Sequence, residues 1–260
     1  MLNGKTAIIT GSTSGIGLGI AEALAHAGAN IVLNGFGDSA GIDKLRDELK
    51  QRTNVGVVYS PADVSKPRAI ENMVRQAVDN FGSVDILVNN AGIQHVAPID
   101  QFPEEKWDAI LAINLSSAFH ATRLALPLMR HKGWGRIINV ASAHALVGSP
   151  FKAAYVAAKH GVLGLTKVTA LEAAEDGITC NALCPGYVRT PLVEKQIDDQ
   201  AKAHGISRDR VINEILLKQQ PNKRFVETAE LAALTVFLCG EGGASITGVA
   251  LPMDGGWTAH

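Results

Sequence analysis

Residues 5–17 read KTAIITGSTSGIG, a short apolar run that passes directly into a turn with three glycines. The run predicts a buried strand, and the residues that follow the turn predict a helix. Gly11 suits a tight turn, while Gly15 and Gly17 would let a diphosphate approach the backbone at the helix N-terminus. The spacing is G-x-x-x-G-x-G, not G-x-G-x-x-G, so a purely structural turn is an alternative at this stage.

The same alternation of apolar runs and helical patterns continues along the chain. Apolar runs at 5–10, 30–35, 55–60, 84–90, 135–142, 177–184 and 248–256 predict strands, and helical patterns lie near 16–27, 41–51, 67–80, 104–131, 152–175 and 227–239. The strand runs are continuous in their hydrophobicity, which is typical of strands buried on both faces. We therefore predict an α/β fold, a Rossmann-like doubly wound sheet of about seven parallel strands with helices on both faces.

One region departs from this rhythm. Residues 190–225 form a long, polar helical insertion in which charged residues alternate with Ile, Val and Leu. An amphipathic insertion near the carboxyl ends of the strands is a natural lid. We find no repeat or linker, so residues 1–260 are predicted to form one dinucleotide-binding and catalytic domain with a substrate lid at 190–225.

Composition excludes several classes of protein. The net charge is −1 and the pI is near 6.7, so the chain has no strong field for nucleic acid or an anionic membrane. The three cysteines Cys180, Cys184 and Cys239 form neither a disulfide framework nor a zinc pattern, which favours a reducing cytoplasm and no metal. We see no signal peptide and expect no segment apolar enough to span a membrane.

The end of the second predicted strand bears on cofactor choice. It reads NGFGD at 34–38, with Gly35 or Phe36 where an acid would contact a ribose hydroxyl, and Asp38 only nearby. No Lys or Arg stands there, and Ser14 occupies the glycine turn, so a 2′-phosphate would lack a counter-charge. The sequence thus favours NAD over NADP.

Two further segments follow predicted strands. Asp63, in ADV at 62–64, could accept a hydrogen bond from the adenine amino group while Val64 packs on the ring; alternatively Asp63 is a loop residue that caps the next helix. Asn90, Ala91 and Gly92, in NNAG at 89–92, would bring backbone close to a ribose. Both segments fall where open parallel sheets bind ligands.

Tyr155 and Lys159 are four residues apart in the segment AAYVAAKHG at 153–161. On a helix such residues share a face, with Cβ atoms about 6 Å apart. A lysine charge roughly 4 Å from a phenolate contributes about 4 kcal/mol at an effective dielectric constant near 20, which would lower the tyrosine pKa toward neutrality. Ser142 ends the fifth predicted strand and could bind the same substrate oxygen. The alternative is an unrelated Tyr and Lys on a helix face.

Together these segments resemble the short-chain dehydrogenase/reductase family over essentially the whole chain. The matching pieces are TGSTSGIG, NNAG, the Asn of AINLSS, the Ser of INVAS, YVAAK and PGYVRTP. The resemblance implies a proton relay formed by Asn114, Ser142, Tyr155 and Lys159. It also implies cofactor contacts by Gly11, Thr13, Gly15, Ile16, Gly17, Phe36, Asp63, Val64, Asn90, Ala91, Gly92, Tyr155, Lys159, Pro185, Gly186, Val188 and Thr190.

The segments NNAGIQH, ASAH, KAAYVAAKHGV, TPLVEKQI and DGGWTA resemble, within that family, the bacterial D-3-hydroxybutyrate dehydrogenases. An amide, an imidazole and an ammonium near the reacting centre suit a small carboxylate. Alone, each of Gln94, His144 and Lys152 is more readily interpreted as an ordinary solvated loop residue, and it is their convergence that indicates a site. The resemblance implies substrate contacts by Gln94, Ser142, His144, Lys152, Tyr155, Tyr187, Gln196 and Trp257, with Tyr187 standing where that group usually has Trp. It further implies NAD as cofactor and a homotetramer built partly through the helices at 104–131 and 152–175.

Other functions are possible on the sequence alone. The same scaffold could carry a 3-oxoacyl thioester reductase or another secondary-alcohol dehydrogenase. Residues 201–217 have some character of a DNA-binding helix–turn–helix, although acidic residues accompany the basic ones there. A catalytically silent scaffold is the third alternative, which the complete set of relay residues disfavours.

Overall fold

The computed structural model describes residues 1–259, apart from the side chains of Leu192, Asp199, Ala203 and His204. Its strands are β1 (Thr6–Ile9), β2 (Asn30–Asn34), β3 (Val57–Ser60), β4 (Ile86–Asn89), β5 (Gly135–Val140), β6 (Ile178–Pro185) and β7 (Ala250–Met253). Its α-helices are α1 (Gly15–His26), α2 (Ser39–Thr53), α3 (Pro67–Phe81), α4 (Glu104–Leu111), α5 (Ser117–Lys132), α6 (Ala153–Glu172), α7 (Pro191–His204), α8 (Arg208–Arg210) and α9 (Thr228–Cys239).

The seven strands form one parallel sheet in the order β3-β2-β1-β4-β5-β6-β7. This confirms the predicted doubly wound fold. The chain first builds outward from β1 to β3, then crosses back to place β4 on the other side of β1. That reversal opens a crevice at the carboxyl ends of β1 and β4, where such sheets bind ligands.

Alternate residues of the strands feed two apolar layers. Ile9 points into a layer with Leu24 of α1 and Leu231 of α9, whereas the adjacent Ile8 packs with Met73 of α3 on the opposite layer. These side chains are fully buried, because both faces of the sheet are covered by helices.

The helix predicted at 104–131 is interrupted. α4 and α5 are joined by a π-helical turn at Ala112–Ser116, so Asn114 lies in a turn of wider backbone pitch. By length and composition the run Glu104–Lys132 could span a membrane, contrary to expectation. Here it packs against α3, β4 and β5, as a core helix of the α/β fold does.

The segment 190–225 is largely helical, as predicted, and has its own apolar cluster. Ile197 of α7 packs with Val211, Leu217 and Phe225, all buried. Glu194 bonds both Arg189 and Arg208 across the surface of the segment. The segment therefore packs as a unit beside the carboxyl edge of the sheet.

Candidate active site

A cavity of about 560 Å³ opens at the carboxyl edge of the sheet. Its size suits a small-molecule or cofactor site. Among the predicted site residues, the lining includes Gly11, Thr13, Gly15, Ile16, Phe36, Asp63, Val64, Asn90, Ala91, Gly92, Gln94, Ser142, His144, Lys152, Tyr155, Lys159, Pro185, Gly186, Tyr187, Val188, Thr190, Gln196 and Trp257. The lining also contains residues the sequence analysis missed, including Asn34, Ile93, Ile113, Val140, Ala141 and Val193.

The glycine turn has the conformation expected of it. Gly11 has φ of 64° and Gly15 has φ of 58°, in the left-handed region where side chains are disfavoured. A Cβ at Gly17, by contrast, would overlap the Gly11 carbonyl and the Asn90 amide. Within residues 1–259, Gly17 lies outside the cavity lining, so the turn itself, not a ligand, requires glycine there.

Two asparagine side chains brace this turn. The amide of Asn90 donates to the carbonyls of Thr10 and Gly11 at 2.8 and 2.9 Å. Buried Asn34 accepts from the Gly11 N–H at 3.2 Å and donates to the Ala62 carbonyl at 2.9 Å. The carboxyl ends of neighbouring strands are thereby fixed to one another. Sequence reasoning assigned Asn90 to a backbone contact and did not identify this bracing.

The far end of the cavity is formed after β2. The Thr13 hydroxyl donates to the Phe36 carbonyl at 3.1 Å, and the Phe36 side chain is 71% exposed. Asp38 instead caps α2, accepting from the Gly41 N–H at 2.8 Å. Among the described lining residues, Lys152 and Lys159 are the sole Lys or Arg side chains, so this end of the cavity has none.

Asp63 lies between β3 and α3. Its carboxylate accepts from the Ser65 N–H at 2.9 Å, and its hydrogen bonds to Ser65 lower the Asp63 pKa. Val64 beside it is 7% exposed and packs into the core under α3. Asp63 therefore closes a local turn and lines the cavity. It does not cap α3, whose N-cap residue is Lys66 and which, among the described residues, has no side-chain cap, so the predicted helix-capping alternative is wrong.

The predicted reacting groups meet deep in the cavity. The Lys159 ammonium, 4% exposed, donates to the Val140 carbonyl at 2.7 Å and lies 5.7 Å from the centre of the Tyr155 ring. An ammonium has three donors, so two remain after this bond. Ser142, at the end of β5, accepts from the His144 N–H at 3.2 Å and caps the short turn that follows.

The electrostatics of this pair differ from the sequence-based expectation. Burial lowers the pKa of Lys159 to about 8. Burial also raises the pKa of Tyr155, while its interaction with the Ser142 hydroxyl opposes the rise. Desolvation, not the Lys159 charge that the sequence analysis invoked, is the largest influence on the Tyr155 pKa, since both groups lie away from water. As the cavity stands, the phenol is neutral near pH 7.

Asn114 occupies the π-helical turn. Its side chain accepts from the Ile93 N–H and donates to the Ile93 carbonyl, both at 2.9 Å. It is buried and, within residues 1–259, lies outside the cavity lining. Asn114 thus holds the loop after β4, which carries Gln94. The predicted link through water to Lys159 stays a prediction.

An aromatic corner closes the other end of the cavity. The ring of Trp257 stacks on Tyr187, with centroids 6.0 Å apart and planes at 6°. His144 packs edge-on against Trp257 at 5.0 Å and against Tyr155 at 6.0 Å. The Lys152 ammonium lies 6.0 Å from the Tyr187 ring centre. A polar ligand placed beside Tyr155 would therefore meet an imidazole and an ammonium.

The charge state of this corner follows from its burial. Desolvation, followed by the charge of Lys152, lowers the pKa of His144 to about 4, so the imidazole is neutral at pH 7. Desolvation also lowers the pKa of Lys152. One positive group and one neutral donor together match a single carboxylate.

Gln94 and Gln196 are exposed residues of the cavity lining. Gln94 follows β4, and Gln196 is in α7. Thr190 begins the lid segment, and its hydroxyl accepts from the Val193 N–H at 3.3 Å. In this bond the Thr190 oxygen accepts, so its O–H stays available to donate, and the predicted contact of Thr190 with a cofactor stays a prediction.

The sequence is similar to a known family of enzymes and to two dehydrogenases over nearly its full length. A family profile described as short chain dehydrogenase matches residues 5–201. The chain is 59% identical to D-beta-hydroxybutyrate dehydrogenase of Rhizobium meliloti, covering 98% of this chain and 99% of that protein. It is also 59% identical to D-beta-hydroxybutyrate dehydrogenase of Cupriavidus necator over the full length of both.

A solved structure agrees with these sequence matches. L-sorbose reductase from Gluconobacter frateurii, solved with NADPH and L-sorbose, superposes with a TM-score of 0.94 at 34% identity and covers 100% of this chain and 98% of that one. The fold, the cavity at its carboxyl edge and the matches along the sequence lead to one conclusion: this chain belongs to the short-chain dehydrogenase family.

Proposed function

We propose that this enzyme interconverts D-3-hydroxybutyrate and acetoacetate with NAD as its cofactor. One observation carries the proposal: Lys152 and His144, which suit a carboxylate, line the same cavity as Ser142 and Tyr155, which suit a hydroxyl. The relatives that are 59% identical bear the name of this activity. The resemblance noted in the sequence supports the same substrate.

A short-chain dehydrogenase uses a nicotinamide cofactor, and the cavity fits one. In the described part of the chain, Ser14 begins α1 without a side-chain cap, so the first helical N–H groups are available to a diphosphate. A Cβ at Gly15 would meet only Thr190 within 4 Å, which leaves the approach to the turn open. When bound, the nicotinamide supplies the carbon that accepts hydride from the substrate or returns it.

NAD is favoured over NADP by charge. Phe36 and Gly35 occupy the position after β2, and the described lining residues provide no cation there. A 2′-phosphate would lose hydration without gaining a charged partner. Gly11, Thr13, Ile16 and the backbone of 90–92 are proposed to hold the remainder of the dinucleotide.

The residues of the chain divide the remaining work. Ser142 and Tyr155 hold the oxygen on C3, and Tyr155 exchanges its proton. In the direction of ketone reduction, the neutral phenol is ready to donate, since burial raises its pKa. Lys159 has two free donors for ribose hydroxyls and adds positive charge beside Tyr155. Asn114 is proposed to continue the proton path.

The substrate carboxylate is proposed to lie at the aromatic corner. Lys152 supplies the charge, and neutral His144 supplies a hydrogen bond. Gln94 and Gln196 close on it from the rim, the second as part of the lid at 190–225. Tyr187 and Trp257 form the apolar wall of this corner, beside Lys152 and His144.

We also infer that residues 1–260 act as one domain and that the enzyme is a cytoplasmic homotetramer. The three cysteines are free and buried, which suits a reducing compartment. Phe119 of α5 and Leu171 of α6 are 47% and 81% exposed, which favours contact with other subunits through these helices.

The test is an NADH absorbance assay with each enantiomer of 3-hydroxybutyrate, run with NAD and with NADP. We expect turnover of the D enantiomer with NAD. Turnover of 3-oxoacyl thioesters with NADPH, and none of 3-hydroxybutyrate, would instead favour the alternative 3-oxoacyl thioester reductase. Turnover of neutral secondary alcohols alone would also contradict the proposal.

A further inference from the structure

The lid segment enters and leaves through a narrow neck. The entry segment, Tyr187–Arg189, lies beside the exit segment, Arg224–Val226. The Val226 N–H donates to the Tyr187 carbonyl at 2.9 Å, and the Arg189 N–H donates to the Val226 carbonyl at 2.9 Å. Val188 and Val226 form a parallel bridge. Because Tyr187 lines the cavity, these bonds connect the exit segment directly to the cavity wall that Tyr187 and Trp257 form, here called the substrate wall.

One buried side chain connects the entry and exit segments of the neck. Gln220 has no exposed surface. Its amide oxygen accepts from the Tyr187 N–H at 2.5 Å, and its amide nitrogen donates to the Arg224 carbonyl at 2.6 Å. Only this orientation of the amide satisfies both partners, since an N–H needs an acceptor and a carbonyl needs a donor. A Cβ on Gly186 would overlap this amide, so glycine there keeps the contact close.

Tyr187 contacts other side chains of the aromatic corner, so its position affects theirs. Tyr187 stacks on Trp257, and Trp257 meets the edge of His144. Lys152 lies over the Tyr187 ring. A displacement of the Tyr187 backbone therefore changes three side chains that face the substrate. A misplacement of about 1 Å in such a site can cost as much as 100-fold in rate.

We propose that Gln220 is a positioning residue that sets the substrate wall relative to the lid. It lines no part of the cavity in the described structure and acts through Tyr187. The inference rests on the proposed function, because the wall is the one assigned to 3-hydroxybutyrate. It predicts that loss of the Gln220 amide impairs handling of the substrate much more than binding of the cofactor.

Two variants separate this role from general stability. Gln220→Met keeps the length of the side chain and removes both hydrogen bonds. Gln220→Glu keeps an acceptor for the Tyr187 N–H, and its second oxygen donates to the Arg224 carbonyl only when protonated. A buried carboxyl has a raised pKa. Activity of Gln220→Glu relative to wild type should therefore be high at low pH and fall as pH rises.

Asn181→Leu is the matched control. Asn181 is another fully buried amide, which donates to the Ile246 carbonyl at 2.6 Å and accepts weakly from the Val249 N–H at 3.4 Å. It lies in β6, away from the described lining residues. Its loss leaves two partly buried backbone groups without their side-chain partner, as the loss of Gln220 does, but leaves the neck intact.

The experiment measures KM and kcat for D-3-hydroxybutyrate, the Kd of NADH by fluorescence, and the melting temperature. For Gln220→Met we expect KM to rise by about ten-fold or more, with the Kd of NADH within about two-fold. For Asn181→Leu we expect a lower melting temperature with KM unchanged. If Gln220→Met does not fold, the pH profile of Gln220→Glu decides.

Three results would overturn the positioning role. The first is an equal KM for D-3-hydroxybutyrate in Gln220→Met and Asn181→Leu, and the second is a rise in the Kd of NADH as large as the rise in KM in Gln220→Met. The third is a pH profile of Gln220→Glu that runs parallel to that of wild type. Wild type measured alongside separates the two proposals. An inactive wild type would refute the proposed substrate, whereas an active wild type with indifferent Gln220 variants would refute this inference alone.

Discussion

The Lys159 ammonium lies 5.7 Å from the centre of the Tyr155 ring while donating a 2.7 Å hydrogen bond to the Val140 carbonyl. Lys159 lies one helical turn after Tyr155 on α6, and this bond anchors its ammonium to the end of β5. The charge is therefore fixed in place, and the proton that moves is assigned to the phenol.

Tyr155→Phe tests that assignment. Removing the hydroxyl should lower kcat by about 10²- to 10⁴-fold, because the proposed function assigns the proton exchange with the C3 oxygen to this group. The ring remains, so packing against His144 should persist and NADH should bind with nearly unchanged Kd. Turnover within a few-fold of wild type would rule out the role.

Lys159→Met tests the charge beside Tyr155. Below its pKa of about 8 the lysine is charged and stabilises a phenolate. Oxidation of the alcohol needs that phenolate, so the variant should be slower than wild type below about pH 8. The difference should shrink above that pH, where Lys159 itself loses its charge. Lys167→Met, an exposed change on the same helix, is the control. Coincident pH–rate profiles for all three proteins would contradict the argument.

Much of this architecture could be predicted from sequence, for identifiable reasons. The apolar runs are continuous because both faces of the sheet are covered, and that pattern is local. Tyr155 and Lys159 share a helix face by spacing alone. The carboxyl ends of parallel strands meet at one edge, which brings Ser142 and Gly11 into the same cavity without further information.

Other features depend on contacts between distant segments. Gln220 and Asn34 read as ordinary polar residues, since their partners lie on other strands and loops. The direction in which the Tyr155 pKa shifts depends on how completely the surrounding chain excludes water. The four-residue spacing of Tyr155 and Lys159 carries no information about that. The π-helical turn at Asn114 likewise follows from pairing with Ile93, 21 positions away.

Lys152→Met tests carboxylate recognition. The loss of a charged hydrogen bond should raise KM for D-3-hydroxybutyrate by about ten- to a hundred-fold. An uncharged secondary alcohol of similar size should be affected little, because it offers no carboxylate. Equal changes in KM for the two substrates would argue against this placement of the acid group.

His144 predicts a specific dependence of stability on pH. Its pKa is about 4 in the folded protein, against roughly 6.5 when exposed. Between pH 4 and pH 6.5 the unfolded chain binds more protons than the folded protein does at this residue. The contribution of neutral His144 to the free energy of unfolding is therefore complete above about pH 6.5 and is lost as the pH falls toward 4. The full difference corresponds to about 3 kcal/mol in the free energy of unfolding.

His144→Gln should therefore flatten part of the acid-side loss of stability, measured by urea unfolding at pH 7 and near pH 4.5. His160→Gln, at an exposed histidine of α6, is the control and should leave the difference as in wild type. An unchanged difference in the His144 variant would show that this ring does not resist protonation in the folded protein.

Phe36→Arg tests the origin of the cofactor preference. Phe36 is 71% exposed at the cavity end, and its carbonyl accepts from Thr13, so the backbone should tolerate a new side chain there. A guanidinium would give a 2′-phosphate the charged partner that the described lining residues lack. The ratio of kcat/KM for NADP to that for NAD should rise by roughly ten-fold or more. Phe36→Leu removes the same ring without adding charge and should leave the ratio near that of wild type. If both variants shift the ratio equally, the aromatic ring controls the preference; if neither does, the selection against NADP arises elsewhere in the cavity.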